Sequence, residues 1–227
     1  MLTPLKIGSR ASPLAIAQVD EVIKELQLHH PHIQFSCNFI ETTGDKDRQT
    51  SLRTLDKTDF FTKEIDTMLL SGTCRIGIHS AKDLPAPLPK GLAIAALTKG
   101  LDPSDSLVLK PGVNLSNIPK IALIATSSVR REDAVRQLIP HALFKDIRGT
   151  IWERLQFLTQ ETAAQKNKID GVVIAEAALI RLRLTHLNRL KLPGDTTPLQ
   201  GQLAIVIRDD DKEMFSLFSC IDSRISI

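Results

Sequence analysis

The sequence predicts an α/β fold with two similar lobes, in which mixed, largely parallel sheets surround a central cleft. Apolar segments of strand length alternate with amphipathic segments of helical spacing, a pattern typical of sheets joined by crossover helices. A strand, a loop of hydroxyl and arginine residues, and a helix open the chain, and the same order returns after residue 120. This repetition indicates two lobes of similar construction.

The first half of the chain contains the elements of one lobe. Leu5–Gly8 is predicted to be a short strand, and Ser12 followed by Pro13 is a favoured helix start. The apolar positions of that helix are Ala15, Val19, Val22 or Ile23, and Leu26. The other elements predicted here are a helix through Phe61, Ile65, Met68 and Leu69, and strands at 75–79 and 92–97.

The second half repeats the order of the first. An apolar strand at 121–125 leads into the hydroxyl-rich turn 126–128, and a helix follows. The apolar positions of that helix are Val129, Val135, Leu138 and Ile139. The remaining predictions are strands at 144–147, 171–174 and 203–207, and helices at 150–158, 176–182 and 212–221.

Two clusters of helix- and strand-breaking residues predict where the lobes divide. They lie at 100–103 and 193–198, and each contains proline and glycine. If the strand at 203–207 returns to the first lobe, the two clusters are the two places where the chain crosses from one lobe to the other. The predicted domains are 1–99 with 199–227 as domain 1, and 100–198 as domain 2.

Composition narrows the class of protein. A net charge of +3, a single Trp and no Tyr do not favour nucleic-acid binding, which usually needs a basic surface and stacking aromatic residues. No apolar run approaches the roughly 20 residues of a membrane span, and the first residues do not resemble a secretion signal. We therefore expect a cytoplasmic protein without nucleic-acid or membrane partners. We also expect a monomer, although the composition does not determine the oligomeric state.

Cysteine and histidine residues do not form an evident metal site. Cys37, Cys74 and Cys220 are odd in number and widely spaced, which favours reduced thiols over disulfides or zinc ligands. The cluster at 29–32 contains three histidines interrupted by Pro31, and a solvated turn at a helix end is favoured over a metal site. No P-loop, GxSxG, HExxH or GxGxxG motif is present.

Arginine residues follow the ends of several predicted strands. They are Arg10, Arg130, Arg131 and Arg148. The carboxyl ends of strands line the ligand crevice in open α/β sheets, and guanidinium groups bind carboxylates or phosphates. The set predicts a small polyanionic ligand, although each arginine alone could be a solvated surface charge. Arg154 and Arg181 lie on predicted helices, where a surface ion pair is an equal alternative.

The segment His79–Pro85 places a hydroxyl group, a cation and a carboxylate directly after a strand. Asp83 is positioned to stabilise a developing cation or to move a proton, while Lys82 holds an acidic group of a substrate. A turn-forming aspartate paired with Lys82 is an equal alternative when Asp83 is considered by itself.

At these residues the chain resembles the porphobilinogen deaminase (hydroxymethylbilane synthase) family. The motifs, in family order between about residues 5 and 208, are KIGSRASPLAIAQ, TTGD, FTKEID, HSAKDLP, DPSD, ATSSVRRED, IRGTIWERL and QGQLAI. The resemblance implies a type II periplasmic-binding-protein-like fold and a cytoplasmic transferase of haem and porphyrin biosynthesis. Such an enzyme joins four porphobilinogen molecules head to tail, with loss of ammonia, to give the linear tetrapyrrole hydroxymethylbilane.

The resemblance also implies a dipyrromethane cofactor, attached to a cysteine and serving as primer, and it implies roles for individual residues. Asp83 would be the catalytic carboxylate. The residues that would hold cofactor carboxylates are Ser80, Lys82, Thr126, Ser127, Arg130 and Arg131. Those that would hold porphobilinogen and the growing polypyrrole are Arg10, Ser12, Gln18, Arg148, Gly149, Arg154, Arg181 and Gln200.

The chain departs from the family pattern in two places. Asp56–Phe61 stands where relatives have a Gly-Lys-Gly-rich stretch, so Lys57 replaces that basic loop only in part. The family's third, C-terminal domain is expected to be absent, and Cys220 comes too early to be its glycine-flanked cofactor cysteine, so no attachment residue is assigned. The alternative function is a noncatalytic protein that binds pyrrole or other polycarboxylate ligands on the same fold.

Overall fold

The computed structural model describes residues 4–47, 49–51, 53, 59–159 and 168–225. These residues form two compact units. The first takes its residues from 1–47, 56–101 and 198–227, and the second from 48–55 and 102–197. Residues 49–51 and 53 therefore pack with the second unit, where the Arg53 guanidinium donates to the carbonyl oxygen of Thr126 and pairs with Glu132.

Ten strands and seven α-helices are found in the described residues. The strands are β1 (Leu5–Arg10), β2 (Phe35–Ile40), β3 (Ile76–Ser80), β4 (Leu92–Leu97), β5 (Asp105–Leu109), β6 (Leu123–Ala125), β7 (Leu143–Lys145), β8 (Gly171–Ala175), β9 (Arg189–Lys191) and β10 (Leu203–Arg208). The helices are α1 (Pro13–Gln27), α2 (Thr43–Lys46), α3 (Lys63–Leu70), α4 (Val129–Leu138), α5 (Ile151–Thr159), α6 (Glu176–Arg181) and α7 (Lys212–Phe218). Short 3₁₀ turns lie at Asp59–Phe61, Ala81–Asp83 and Ser219–Ile221.

The first unit is built on a five-stranded sheet of order β2-β1-β3-β10-β4. Strand β1 pairs in parallel with β2 and β3, whereas β10 is antiparallel to both β3 and β4. Residues 203–207 of β10 are fully buried, as expected for an apolar strand between two neighbours with both faces covered. Helix α1 covers the sheet with the predicted apolar face, on which Val19, Val22 and Leu26 are buried.

The second unit repeats this plan with the order β7-β6-β8-β5-β9. Strand β6 is parallel to β7 and β8, and β5 is antiparallel to β8 and β9. In each sheet, four strands run one way and one runs against them. The predicted α/β class with mixed, largely parallel sheets is therefore confirmed. Its core includes Leu107, Ile124 and Val173, and full burial of one such side chain contributes about 1.5–3 kcal/mol.

Several predicted boundaries were wrong. Ile121 was placed in a buried strand, but it is 66% exposed and β6 begins only at Leu123, whose amide donates to Asp170 Oδ2 at 2.9 Å. Phe61 was placed in the second helix, but it ends a 3₁₀ turn before α3. The strands β2, β5 and β9 were not predicted. No described helix has the length and apolar character needed to cross a membrane.

Candidate functional site

The first unit has a cavity of about 70 Å³ at the carboxyl ends of β1 and β3. These two strands are parallel neighbours, so the residues that follow them emerge at the same edge of the sheet. Five of the predicted site residues line the cavity, and they are Arg10, Ser12, Gln18, Ser80 and Asp83. The structure thus brings together residues that lie up to 73 positions apart in the sequence.

Helix α1 supplies two of these residues. Ser12 is the N-cap of α1, and its hydroxyl oxygen accepts a hydrogen bond from the amide of Ala15 at 3.2 Å. Gln18 lies six residues further along and is buried, and its side-chain amide donates to Ser80 Oγ at 2.8 Å. This bond ties the helix to the end of β3 and fixes the orientation of the Ser80 hydroxyl group.

Arg10 is held by two residues that the sequence did not single out. Its guanidinium donates to both carboxylate oxygens of Asp45 and lies over the ring of Phe61, 4.5 Å from the ring centroid. Asp45 also accepts hydrogen bonds from the amide and hydroxyl groups of Thr42 at 3.1 and 2.8 Å. Burial by itself raises the pKa of Asp45, but the hydrogen bonds from Arg10 and Thr42 lower it below its usual value. Arg10 is therefore a fixed cation with a carboxylate on one edge.

Asp83 ends the 3₁₀ turn that follows β3. Its side chain is exposed, and no donor to its carboxylate is found in the described part of the chain. The neighbouring Lys82 donates to Gln200 Oε1 at 3.0 Å, so the two predicted ligand-binding residues Lys82 and Gln200 contact each other. The alternative in which Asp83 pairs with Lys82 in a turn receives no support from these contacts.

His79 also lines the cavity but was given no role from sequence. It is only 6% exposed, and its Nε2 atom is buried without a hydrogen-bond partner among the described residues. Burial lowers the pKa of His79 to about 4, and the nearby charge of Arg10 acts in the same direction. The imidazole is therefore neutral near pH 7 and does not offset the positive charge of the neighbouring Arg10.

We expect the stability of the folded chain to fall as the pH falls from 6.5 to about 4. The pKa of His79 is about 4 when folded and 6.5 ordinarily, so in this window the unfolded chain binds a proton that the folded chain excludes. The loss should reach about 1.4 kcal/mol per pH unit. His79→Asn should remove this component. Urea denaturation of both proteins at pH 7 and pH 5 measures it, and an identical pH dependence would contradict a buried, neutral His79.

The second unit places hydroxyl groups at the carboxyl end of β6. Thr126 is 1% exposed, and its Oγ1 accepts a hydrogen bond from the amide of Ser128 at 3.3 Å. The hydroxyl group of Ser127 donates to the carbonyl oxygen of Ile147, and its oxygen accepts from the amide of Ile147 at 3.1 Å. Both hydroxyl groups thus shape the loops that follow β6 and β7 at the N-terminus of α4.

Arg130 and Arg131, in the first turn of α4, share one carboxylate. Asp105 is 2% exposed, and its Oδ1 accepts from Nε and Nη2 of Arg131 at 3.0 and 2.6 Å. Its Oδ2 accepts from Nη2 of Arg130, whose Nη1 donates to the carbonyl oxygen of Asp195 at 2.7 Å. Burial raises the pKa of Asp105, but Arg131 and Arg130 outweigh it and lower that pKa.

The other predicted residues of this unit lie in a neighbouring loop and on a separate helix. Arg148 and Gly149 follow β7, and Arg154 on α5 donates from Nε to the carbonyl oxygen of Gly149 at 2.9 Å. Arg181 is the last residue of α6 and lies six residues beyond Ala175, where β8 ends.

The three cysteines have thiols that are less acidic than usual. Burial raises the pKa of Cys74 to about 11 and also raises that of Cys37 and Cys220. Cys220 lies in a 3₁₀ turn after α7, rather than in the predicted continuous helix, and its thiol donates to the carbonyl oxygen of Leu217 at 3.4 Å. Among the described residues, the charges that act on Cys37 and Cys220 are those of Asp20 and Glu25, which are anions and do not activate a thiolate. Lys57 and its neighbours from 54 to 58 lie outside the described residues.

The residues missed from sequence are the partners that hold the predicted ones. Asp45, Phe61 and Asp105 lie in or next to the motifs TTGD, FTKEID and DPSD, which carried the resemblance without an assigned role. A carboxylate within a recurring motif was the available signal for Asp45 and Asp105. Nothing in the neighbouring sequence indicated which arginine each of these two carboxylates would contact.

Comparison with known proteins finds one matching family. The chain matches the family described as "Porphobilinogen deaminase, dipyromethane cofactor binding domain" over residues 5–216. It is 38% identical over 223 residues to a probable porphobilinogen deaminase of Chlamydia pneumoniae, covering 97% of this chain and 92% of that protein. It is 37% identical over 230 residues to the porphobilinogen deaminase of Dictyostelium discoideum, covering 97% of this chain and 69% of that protein.

Solved structures share the fold at low sequence identity. An ancestral cationic amino acid solute binding protein has a TM-score of 0.54 and 12% identity, covering 94% of this chain and 86% of that chain. The reduced regulatory domain of OxyR2 from Vibrio vulnificus has a TM-score of 0.53 and 15% identity, covering 97% of this chain and 95% of that chain. At these identities the likeness concerns the fold alone, and it confirms the type II periplasmic-binding-protein-like architecture.

Proposed function

Since this chain belongs to the porphobilinogen deaminase family, we propose that it is a hydroxymethylbilane synthase, joining four porphobilinogen molecules head to tail with loss of ammonia. The observation that carries the proposal is the cavity in the first unit, where the Asp83 carboxylate lies among Arg10, Ser12, Gln18 and Ser80. A cavity lined by a carboxylate together with an arginine, hydroxyl groups and an amide suits a substrate that carries acidic groups and becomes a cation during reaction.

Asp83 acts on the positive charge that develops during the reaction. Loss of ammonia from the aminomethyl group of porphobilinogen leaves a methylene-pyrrole cation, whose charge is shared with the pyrrole nitrogen. A carboxylate facing that nitrogen stabilises the cationic ring more than the uncharged pyrrole ring of the substrate and so lowers the barrier. The support for this role is that Asp83 lines the cavity and has no donor of its own among the described residues.

Arg10 and its neighbours orient the substrate acids. Arg10 is held in place by Asp45 and Phe61, so it loses little side-chain entropy when it binds a carboxylate. Ser12 and Gln18 add polar groups to the lining of the same cavity. In the second unit, we assign substrate contacts to Arg148, Gly149 and Arg154, with Arg181 and, in the first unit, Gln200 completing the set.

The donor set of the chain fits the dipyrromethane that the family implies. Arg131 is 13% exposed at its side chain and Arg130 is 31% exposed, and paired, half-buried guanidinium groups are suited to carboxylates. We assign the acetate and propionate groups of the cofactor to Ser80, Lys82, Thr126, Ser127, Arg130 and Arg131. When bound, the dipyrromethane supplies the nucleophilic pyrrole carbon to which the first substrate unit is joined.

Porphobilinogen turnover tests the proposed function. The purified chain should consume porphobilinogen and, after oxidation of the product, give uroporphyrin. Absence of turnover beside a competent control deaminase would contradict the proposal. Intact mass spectrometry of the native protein should show an added dipyrromethane, and peptide mapping of the loaded protein would identify the attachment residue.

A second candidate is a noncatalytic protein that binds pyrrole polycarboxylates through the same residues. The observation that favours it is that burial raises the pKa of Cys37, Cys74 and Cys220, so none is an activated nucleophile. This candidate predicts a native mass without an adduct and binding of a preformed pyrrole chain without turnover. A covalent dipyrromethane on the native protein would contradict it.

A further inference from the structure

Asp105 is fixed in the interior of the second sheet. It is the first residue of β5, which lies between β8 and β9, and it is paired in register with Ala175. Its carbonyl oxygen accepts a hydrogen bond from the amide of Leu192 at 2.8 Å. A carboxylate on a strand held from both sides, and only 2% exposed, does not swing out to make room for another anion.

The Asp105 carboxylate lies between two positively charged guanidinium groups. Arg130 and Arg131 are adjacent in sequence, and two guanidinium groups at such short range repel each other in a half-buried setting. The carboxylate between them leaves a net charge of +1 for the three side chains. Arg131 uses Nε and Nη2 on Asp105, and within the described residues its Nη1 has no acceptor. A donor is thus left for a ligand at a defined position.

We propose that Asp105 is a positioning residue, which holds the guanidinium groups of Arg130 and Arg131 in the arrangement that binds one carboxylate of a polyanionic ligand. The inference rests on the proposed function for the identity of that ligand, but its physical content concerns the two arginines. Asp105 acts through them and does not touch the ligand, because its two oxygens are occupied by the guanidinium groups.

A competing view treats Asp105 as a built-in anion that a ligand must displace. The two views predict opposite effects of Asp105→Asn on anion affinity. Removal of a negative charge, and of a competitor, should strengthen the binding of an anion. Loss of the positioning carboxylate should weaken it, even though the net charge of the site becomes more positive.

We expect Asp105→Asn to weaken anion binding by about tenfold or more, and Asp105→Glu, which keeps the charge but displaces it, to weaken it by a smaller factor. Isothermal titration with citrate as a simple polycarboxylate, and separately with porphobilinogen, at constant ionic strength measures this. Arg131→Met should abolish citrate binding, which would show that citrate binds at Arg130 and Arg131. Asp133→Asn removes an exposed carboxylate from the same helix and is the matched control, with affinity unchanged.

The outcomes separate the positioning role from the proposed function. A folded Asp105→Asn protein that binds citrate as tightly as the wild type, or more tightly, would overturn the positioning role. If circular dichroism shows that Asp105→Asn does not fold, Asp105→Glu decides in the same way, because affinity equal to the wild type contradicts positioning. Wild-type protein that binds citrate but not porphobilinogen removes the proposed function alone. Wild-type protein that binds neither overturns the inference.

Discussion

Replacement of Asp83 by Asn should reduce porphobilinogen consumption by about a hundred- to a thousandfold, as expected when a charged group that stabilises a transition state becomes neutral. The side chain is exposed and has no donor among the described residues, so the substitution breaks no contact of the folded chain. Stability to urea should therefore be unchanged. The effect should appear in kcat more than in KM, because the carboxylate interacts with a charge that develops only during the reaction.

The matched control for Asp83 is Asp20→Asn. Asp20 is an exposed carboxylate on α1, in the same unit, and it does not line the cavity. Its replacement makes the same change in net charge and should leave turnover within about twofold of the wild type. Wild-type activity in folded Asp83→Asn protein would remove Asp83 from its proposed role. Equal losses in the two variants would point to a general effect of charge.

Replacement of Gly201 by Ala should destabilise the fold by about 2–4 kcal/mol, the cost of a left-handed alanine added to that of the overpacked contact. Gly201 has a φ of +92°, and an added Cβ atom would lie 2.5 Å from the carbonyl oxygen of Leu101. The amide of Leu101 donates to the carbonyl oxygen of Gly201 at 3.2 Å, so the backbone cannot move away from the added Cβ without losing this bond. The neighbouring Gln200 also contacts Lys82. Urea denaturation of the purified variant measures the loss.

Gly112→Ala is the control that separates backbone conformation from collision. Gly112 has a φ of +77°, close to that of Gly201, but no atom lies within 4 Å of its added Cβ. The free energy of unfolding of this variant should therefore fall by only about 1 kcal/mol, the cost of placing alanine in a conformation that glycine prefers. Equal losses at the two positions would show that the contact with Leu101 carries no cost.

Short-range signals in the sequence were sufficient for much of the fold. Helix α1 begins after Ser12 as predicted, since a cap contacts an amide only three residues away. The apolar run in β10 was sufficient to predict a buried strand, but its antiparallel direction depends on its neighbours. Strand β2 was missed because most of its side chains are exposed and show no alternation. The strand-and-helix pattern also placed Arg10 at the end of β1, where the structure has it, and placed Arg131 after β6, where it lies in the first turn of α4.

The sequence by itself determined which chemical groups the chain can offer, namely arginines and hydroxyl groups at strand ends and the carboxylate Asp83. Only the tertiary structure decided which groups hold them. Arg10 meets Asp45 across 35 residues, and Arg131 meets Asp105 across 26. Such pairs depend on the order of strands in the sheets, because that order brings distant loops to one edge. The pKa of His79 likewise follows from burial, which arises when helices cover the sheet and exclude water.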